Sequence, residues 1–310
     1  MKILLLLLFI FGLCEKQRFD NYHLISITLK TEQEKQAFES LYKNHQIDVW
    51  TNEGTLTIGS TSEILLSPQE FSILSNSKFE KNIQIINPNI QTNIDQEEKE
   101  KTLNTTFFEK YHRYEDIKNF MENLHSQYPD QTEIFTIGQT FEKRPVFGFK
   151  IKISRQPKHF WMSSLQHARE WISPMVTLYI MKRLLDEYHA GNQRVKKILD
   201  NIHIHFLPVN NVDGYEYTHT TNRLWRKNRR LNTPSTSIGV DINRNWPFQW
   251  NGPGSSADPG SDVYRGIFIF NLSKGPSPGS EVEVQNVIKY FNTTKFNGAV
   301  DFHSYRYPFC

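Results

Sequence analysis

At 310 residues, 38% hydrophobic and 22% charged, with a formal net charge of +3, the chain has the composition of a folded globular protein large enough for a sizeable core and two domains. That balance excludes a disordered or fibrous polypeptide. Two cysteines are too few for a disulfide framework, and the scattered basic residues, with no recognised module among them, argue against nucleic acid as a partner.

The chain opens with MKILLLLLFIFGLCEK, a lysine ahead of an eleven-residue apolar run (3–13) and then a polar stretch. This is the shape of a secretory signal peptide, and so short a run does not span a bilayer. We therefore expect a leader over 1–14 and a secreted product, extracellular or in a digestive or lysosome-like compartment, with no membrane attachment. The competing readings are a buried first strand and a membrane anchor. Nothing else in the N-terminal region calls for so uniform a run. Cys14 falls near the expected cleavage point and Cys310 is the last residue given, so the mature chain is expected to keep one of the two. Asn104-Thr105-Thr106, Asn271-Leu272-Ser273 and Asn292-Thr293-Thr294 fit the glycosylation sequon and belong in surface segments if used.

From 21 to 90 the pattern reads strand (NYHLISITL), helix (TEQEKQAFESLYKNH), two short strands (IDVWT and TLTIGS), a helix opening at SPQEFSIL, and a strand (NIQIIN). That βαββαβ order is a small α+β open sandwich, a domain over 15–90. The following QTNIDQEEKEKTLNTT has no apolar periodicity and reads as an exposed linker over 91–106, with Lys99 and Lys101 open to a trypsin-like protease. Residues 15–101 carry 14 acidic and 9 basic side chains, net −5, and residues 102–310 carry 19 and 26, net +7. Two surfaces of opposite sign can attract one another, although solvated faces also produce such an asymmetry.

Beyond the linker, over 107–310, helices alternate with strands. The pattern gives helix YEDIKNFMENLHSQY, strands EIFTIGQTF, PVFGFKIKI and HFWMSSL, and a long helix whose Ser173-Pro174 suits N-cap and first-turn positions. Helix QRVKKILDN, strand IHIHFLPVNN, helix GSEVEVQNVIKYF and strand FNGAVDFHS follow. This is an α/β domain on a mixed or parallel sheet.

Chemistry gathers first at SSLQHAREWISP, where His167 and Glu170 stand three apart between a strand and a helix. A turn there can aim an imidazole nitrogen and a carboxylate oxygen, two of zinc's preferred ligands, at one point. The same spacing at His112 and Glu115 reads as surface polarity. His203 and His205 share one face of a strand, and we read them as a polar face with Ile204 and Phe206 inward. LWRKNR (224–229) and VDINRNW (240–246) add arginines beside amides, and a guanidinium binds a carboxylate through a planar fork. Taken singly, each arginine reads as a solvated surface charge.

Together these stretches resemble the zinc carboxypeptidases of the digestive A/B type. The stretches that carry the resemblance are YHRYEDI, GQTFEKRPV, QHAREWISP, PVNNVDGYEYT, NRLWRKNR, GVDINRNWPFQW, YRG, GSE and DFHSY, in the family's order. The resemblance implies a mixed-sheet α/β catalytic domain behind an activation peptide that covers the cleft until cleavage. It implies one Zn²⁺ bound by His167, Glu170 and His303, with Arg226 as the catalytic group that stabilises the oxyanion. Asn243 and Arg244 would hold the substrate's terminal carboxylate, and Arg169, Ser304 and Tyr305 would line neighbouring subsites. Asp241 would orient His167 from behind. The substrates implied are C-termini of peptides and proteins, and a monomer is expected.

The sequence also departs from the family. A general-base glutamate, a substrate-binding tyrosine and the residue that sets side-chain preference lie beyond the family's HSY motif, and we expect the C-terminal part of the domain to be missing here. Loss of general-base help, worth ~10²–10⁴-fold, implies that this chain turns over poorly or not at all. A non-catalytic zinc- or peptide-binding relative is the alternative reading, and a zinc hydrolase of acyl amino acids explains the arginine stretches less well. IFIFNLSKGPSP (267–278) is longer than the family's usual connector.

Overall fold

The computed structural model describes residues 16–41, 48–51, 56–101, 106–155, 157–233, 235–250, 252, 255–256, 260 and 277–304. The leader, the sequons at Asn104 and Asn271, the 267–276 part of the long connector and Tyr305 lie outside the described residues. The N-terminal elements run β1 (His23–Thr28), α1 (Glu32–Leu41), β2 (Asp48–Val49), β3 (Thr61–Leu66), α2 (Pro68–Ser75) and β4 (Ile83–Asn87). Their order is the expected βαββαβ. The strands form an antiparallel sheet in the order β2-β3-β1-β4, with Ile25, Ile27, Phe38, Ile64, Leu66 and Leu74 in the core beneath it. Local chemistry starts α2: Ser67 accepts from the Glu70 amide while Glu70 accepts from the Ser67 amide, and Pro68 fills the first turn.

One strand is displaced from its expected position. The described part of TLTIGS (56–60) is not a strand; it leads into a turn at Ile58 and Gly59, where Gly59 adopts φ +77° and Ile58 is exposed. The strand is the next segment, β3, whose Ile64 and Leu66 face the domain core while Leu65 packs on the opposite side with Leu24, Ile94 and Leu224. A strand covered on both faces loses the alternation that marks a half-buried one.

The exposed linker expected over 91–106 is corrected over 91–100, while 102–105 lie outside the described residues. Residues Gln91–Glu100 form a helix, α3, that lies against the rest of the chain. Ile90 and Ile94 share an apolar cluster with Phe19, Leu24, Leu65 and Leu224, and Glu97 pairs with Arg223, both about 4% exposed. An ion pair and two isoleucines dock this helix, so it has no apolar stripe for periodicity to detect. Lys99 is exposed, but Lys101 is ion-paired to Glu98 at 2.7 Å and lies over the Trp171 ring at 4.3 Å.

The larger domain contains α4 (Tyr114–Gln127), β5 (Thr132–Gln139), β6 (Pro145–Ile151), β7 (Lys158–Ser164), α5 (Ile172–His189), α6 (Gln193–Leu199), β8 (Ile202–Leu207), α7 (Val212–Thr220), α8 (Val282–Thr293) and β9 (Gly298–Phe302). The sheet order is β5-β6-β8-β7-β9. The pairs β5/β6 and β6/β8 are antiparallel, while β7 runs parallel to both β8 and β9. The fold is therefore a mixed-sheet α/β domain behind a small α+β sandwich. Among the described residues no helix is long and apolar enough to cross a membrane.

Three local readings change. The long helix α5 begins one residue before Ser173, with Trp171 as its cap; the Ser173 hydroxyl donates back to the Glu170 carbonyl at 2.8 Å instead of capping an amide. The helix α7 was not read from PVNNVDGYEYT, although Asn211 caps it by accepting from the Gly214 amide at 3.0 Å. The polar face expected for β8 is not solvated. His203 is half-buried with its Nε2 at 2.8 Å from the Ser154 carbonyl. His205 is 1% exposed, its Nδ1 2.8 Å from the Tyr290 hydroxyl and its Nε2 2.9 Å from His159 Nδ1. Tyr290 of α8 covers that face, so β8 is buried on both sides.

At the start of α8, Glu283 is fully buried; one oxygen accepts from Asn228 at 3.1 Å and the other has no partner. Burial, and then the nearby Glu281, push its pKa up to about 7. Between the ordinary glutamate value and about 7 the folded chain holds a proton that the unfolded chain has lost, so stability falls as pH rises through that window. Replacing Glu283 by glutamine is expected to raise stability above pH 7 by on the order of 3 kcal/mol and to leave it unchanged below about pH 4.5. Denaturant melts of the two proteins across pH 4–8 check this; parallel stability curves would contradict it.

Candidate metal centre

Strands β7, β8 and β9 are parallel, so their C-terminal ends reach one edge of the sheet, where open α/β sheets bind ligands. After β7 the chain turns sharply through Leu165, a non-glycine residue at φ +56°, which is buried in the core. The turn is tied down where the Ala168 amide donates to the Arg226 carbonyl at 2.9 Å, and it presents His167 and Glu170. His303 follows directly on β9.

Here His167 Nδ1 lies 2.6 Å from Glu170 Oε1, His303 Nδ1 lies 3.1 Å from His167 Nδ1, and His303 Nδ1 lies 3.0 Å from Glu170 Oε2. These side chains form the one group of three His, Cys, Asp or Glu residues among the described residues whose donor atoms converge as a metal would require. Two imidazole nitrogens and a carboxylate oxygen at these spacings fit zinc. Bonds of about 2.0–2.1 Å in a tetrahedron put ligand atoms ~3.3 Å apart.

Each imidazole is also held from behind by a carboxylate, the arrangement that fixes a metal-binding histidine's tautomer and direction. His167 Nε2 meets Asp241 Oδ1 at 3.2 Å, and His303 Nε2 meets Asp301 Oδ2 at 2.6 Å. Asp241 is completely buried. Burial alone would raise its pKa, but Arg226 and then His167 hold it well below the usual carboxylate range. Glu170 is likewise kept ionised against its burial by His167 and then His303. Burial opposes protonation of His303, but its bonds to Asp301 and Glu170 prevail and raise its pKa to about 10.

Arg226 donates to Asp241 through Nε at 3.0 Å and Nη2 at 2.9 Å, so one carboxylate joins it to His167. Asp241 also caps the short 3₁₀ turn Ile242–Arg244 by accepting from the Asn243 amide, which brings Asn243 and Arg244 to the same region, both half-buried. The Ser304 amide donates to Glu170 Oε2 at 3.1 Å. Arg169 is engaged differently. Its two terminal nitrogens donate to the two oxygens of Asp48, at 2.7 and 2.9 Å, and its guanidinium lies 5.7 Å from the Trp50 ring centroid. His112 and Glu115 stay apart from the centre; His112 stacks on Phe107 and its Nε2 sits 2.7 Å from the Phe107 carbonyl. Sequence reasoning missed Asp48, Asp301 and the Glu97–Arg223 pair. Only Asp301 carried a local signal, two residues before His303 on a strand.

Comparison with known proteins gives a consistent result. The family model described as Zinc carboxypeptidase matches residues 117–307, and that of the Carboxypeptidase activation peptide matches residues 25–97. Carboxypeptidase A2 of Rattus norvegicus is 34% identical over 224 residues, 70% of this chain and 51% of that protein. Carboxypeptidase A4 of Mus musculus is 30% identical over 310 residues, 95% of this chain and 70% of that protein. The chain thus spans about half the length of some curated relatives and about two thirds of others. Among solved structures, that of thrombin activatable fibrinolysis inhibitor superposes with a TM-score of 0.79 at 26% identity, over 93% of this chain and 72% of the other.

Proposed function

Because the chain belongs to the zinc carboxypeptidase family and carries that family's activation peptide ahead of its catalytic domain, we propose that it is the zymogen of a secreted, monomeric enzyme that hydrolyses the C-terminal peptide bond of peptides and proteins. The observation that carries this reading is the convergence of His167, Glu170 and His303, with a carboxylate behind each imidazole. We assign 1–14 to a leader, 15–90 to the activation peptide, 91–106 to the segment that is cleaved by a trypsin-like protease, and 107–310 to the catalytic domain. The apolar run at 3–13 supports export, and Asn292, exposed at the end of α8, is available for glycosylation.

The chemistry zinc supplies, when held by His167, Glu170 and His303, is Lewis acidity toward a scissile carbonyl. The remaining work falls to the protein. Asp241 fixes both the His167 ring and the Arg226 guanidinium, so Arg226 carries a positive charge that need not reorganise as negative charge develops on the carbonyl oxygen. Asn243 and Arg244 offer an amide and a guanidinium fork to a free C-terminal carboxylate. Arg169 and Ser304 line the adjoining subsites, with Tyr305 next in the chain. While the N-terminal domain is docked, the Asp48 carboxylate fills the fork of Arg169, so substrate meets an occupied donor.

The test uses the full chain, treated with trypsin and offered peptides ending in a free carboxylate or an amide. We expect one zinc per chain and, in keeping with the poor turnover expected above, at most slow release of single residues, confined to the free acid. Hydrolysis should stop with a chelator and return with added zinc. Zinc binding with no release from either peptide would replace this reading with that of a non-catalytic peptide-binding relative, and failure to bind zinc would overturn the metal assignment itself.

A further inference from the structure

Gln166 stands beside His167 in the chain and is buried, and its side chain reaches from the turn to two segments distant in sequence. Its Nε2 donates to Asp301 Oδ2 at 2.7 Å, and its Oε1 accepts from the Trp246 indole nitrogen at 2.9 Å. The sense of this amide is fixed, because an indole N–H only donates and an ionised carboxylate only accepts. Its backbone is held as well. The Gln166 carbonyl accepts from Asn211 Nδ2 at 2.9 Å, at the cap of α7, and the preceding Leu165 carries the positive φ of the turn.

These contacts bear on the metal centre through Asp301. Its Oδ2 is the atom that meets His303 Nε2 at 2.6 Å, so Gln166 and His303 share one oxygen, while the Ser163 hydroxyl donates to Oδ1. Held at Oδ1 alone, the carboxylate would be free to pivot; the amide at Oδ2 removes that freedom. His167 and Glu170 come from one turn, whereas His303 arrives 136 residues after His167, on a strand at the end of the described sheet. A single amide thus ties the carboxylate behind the remote donor to the turn that carries the two local ones. Through Trp246 it also holds the segment that follows Asn243 and Arg244.

The structure assigns to Gln166 the role of a positioning residue for the metal centre: by orienting Asp301 it sets the direction of the His303 ring, and with it the distance between the remote donor and the local pair. This rests on the zinc reading given above. A side chain that only fills space here needs no more than the right volume, and a methionine or a glutamate supplies that. A side chain that orients Asp301 must offer an N–H, since a second carboxylate meets Asp301 with like charge and nothing to donate.

The experiment loads the full chain with cobalt(II), whose visible absorption reports the geometry of its ligands, and competes it against a chelator. For Gln166→Met we expect cobalt to bind ~3–10-fold more weakly, short of the 10–100-fold typical of removing a group that touches a ligand, with a shifted absorption band. Gln166→Glu, which keeps the shape, should lose at least as much. Trp246→Phe removes the indole N–H and touches neither Asp301 nor a ligand; it should give the same shift in smaller degree. Adding Gln166→Met to Asp301→Asn should cost nothing beyond Asp301→Asn alone, because both act through one oxygen. Circular dichroism of the metal-free chains verifies that each variant folds. A parent that binds no cobalt overturns the metal assignment and this inference together. A parent that binds it, with both Gln166 variants matching its affinity within about twofold and its absorption band, overturns this inference alone, as do additive losses in the double variant.

Discussion

Replacing His303 by alanine is expected to lower the affinity of the chain for zinc by more than ~100-fold, beyond the 10–100-fold typical of removing a residue that only supports a ligand. The change leaves His167 and Glu170, three residues apart, as the remaining donors of the converging group. The fold should survive, because His303 is half-buried at the end of β9 and belongs to no apolar cluster. Competition against a chromogenic chelator measures the affinity. As a second readout, added zinc should raise the melting temperature of the parent, since a ligand that binds only the folded state stabilises it, and should not raise that of the variant. Asp301→Asn should fall between the two, because it removes the carboxylate behind His303 without removing a donor. Zinc affinity unchanged within threefold in His303→Ala would show that the metal is held elsewhere.

Replacing Glu97 by alanine is expected to loosen the docking of α3 and to speed tryptic cleavage near Lys99 and Lys101 by roughly 10²–10⁴-fold, the equivalent of the ~3–5 kcal/mol lost when one partner of a buried ion pair is removed. The cost is large because Arg223 is buried and commits both Nε and Nη2 to Glu97. Its Nε and Nη2 meet the two Glu97 oxygens at 2.6 and 2.9 Å, its Nη1 donates to the Arg169 carbonyl, and its guanidinium lies 3.7 Å from the Trp171 ring centroid. A double variant, Glu97→Ala with Arg223→Ala, should cleave more slowly than Glu97→Ala alone, because the stranded charge is gone. If Glu97→Ala and the parent are cut at the same rate, the pair does not hold α3 in place.

These expectations show what could and could not be read from the sequence. The pairing of His167 with Glu170 was suggested by their spacing after a strand, whereas His303 and Asp241 were named only through the family resemblance. The order of the N-terminal elements was legible from periodicity. The strand β3 was misplaced because it is buried on both faces. The helix α3 was taken for a linker because an ion pair docks it, with a partner 126 residues away in sequence. Asp48 was invisible for the same reason: the carboxylate that fills the Arg169 fork lies 121 residues earlier, on a two-residue strand. The acidic and basic halves foreshadowed attraction in general, but packing alone decided which side chains meet.

The pairing of β7 with β9 has a kinetic consequence. Two of the converging donors are local to one turn, but the third stands 133 residues beyond Glu170 in the chain. Closing so long a segment costs entropy that no early contact repays, and strands distant in sequence join late. During refolding, then, high-affinity metal capture should lag behind the formation of helices and follow the seating of the last strand. A spectroscopically active divalent ion added at the start of refolding would time that final step, with its absorbance appearing only in the slowest phase.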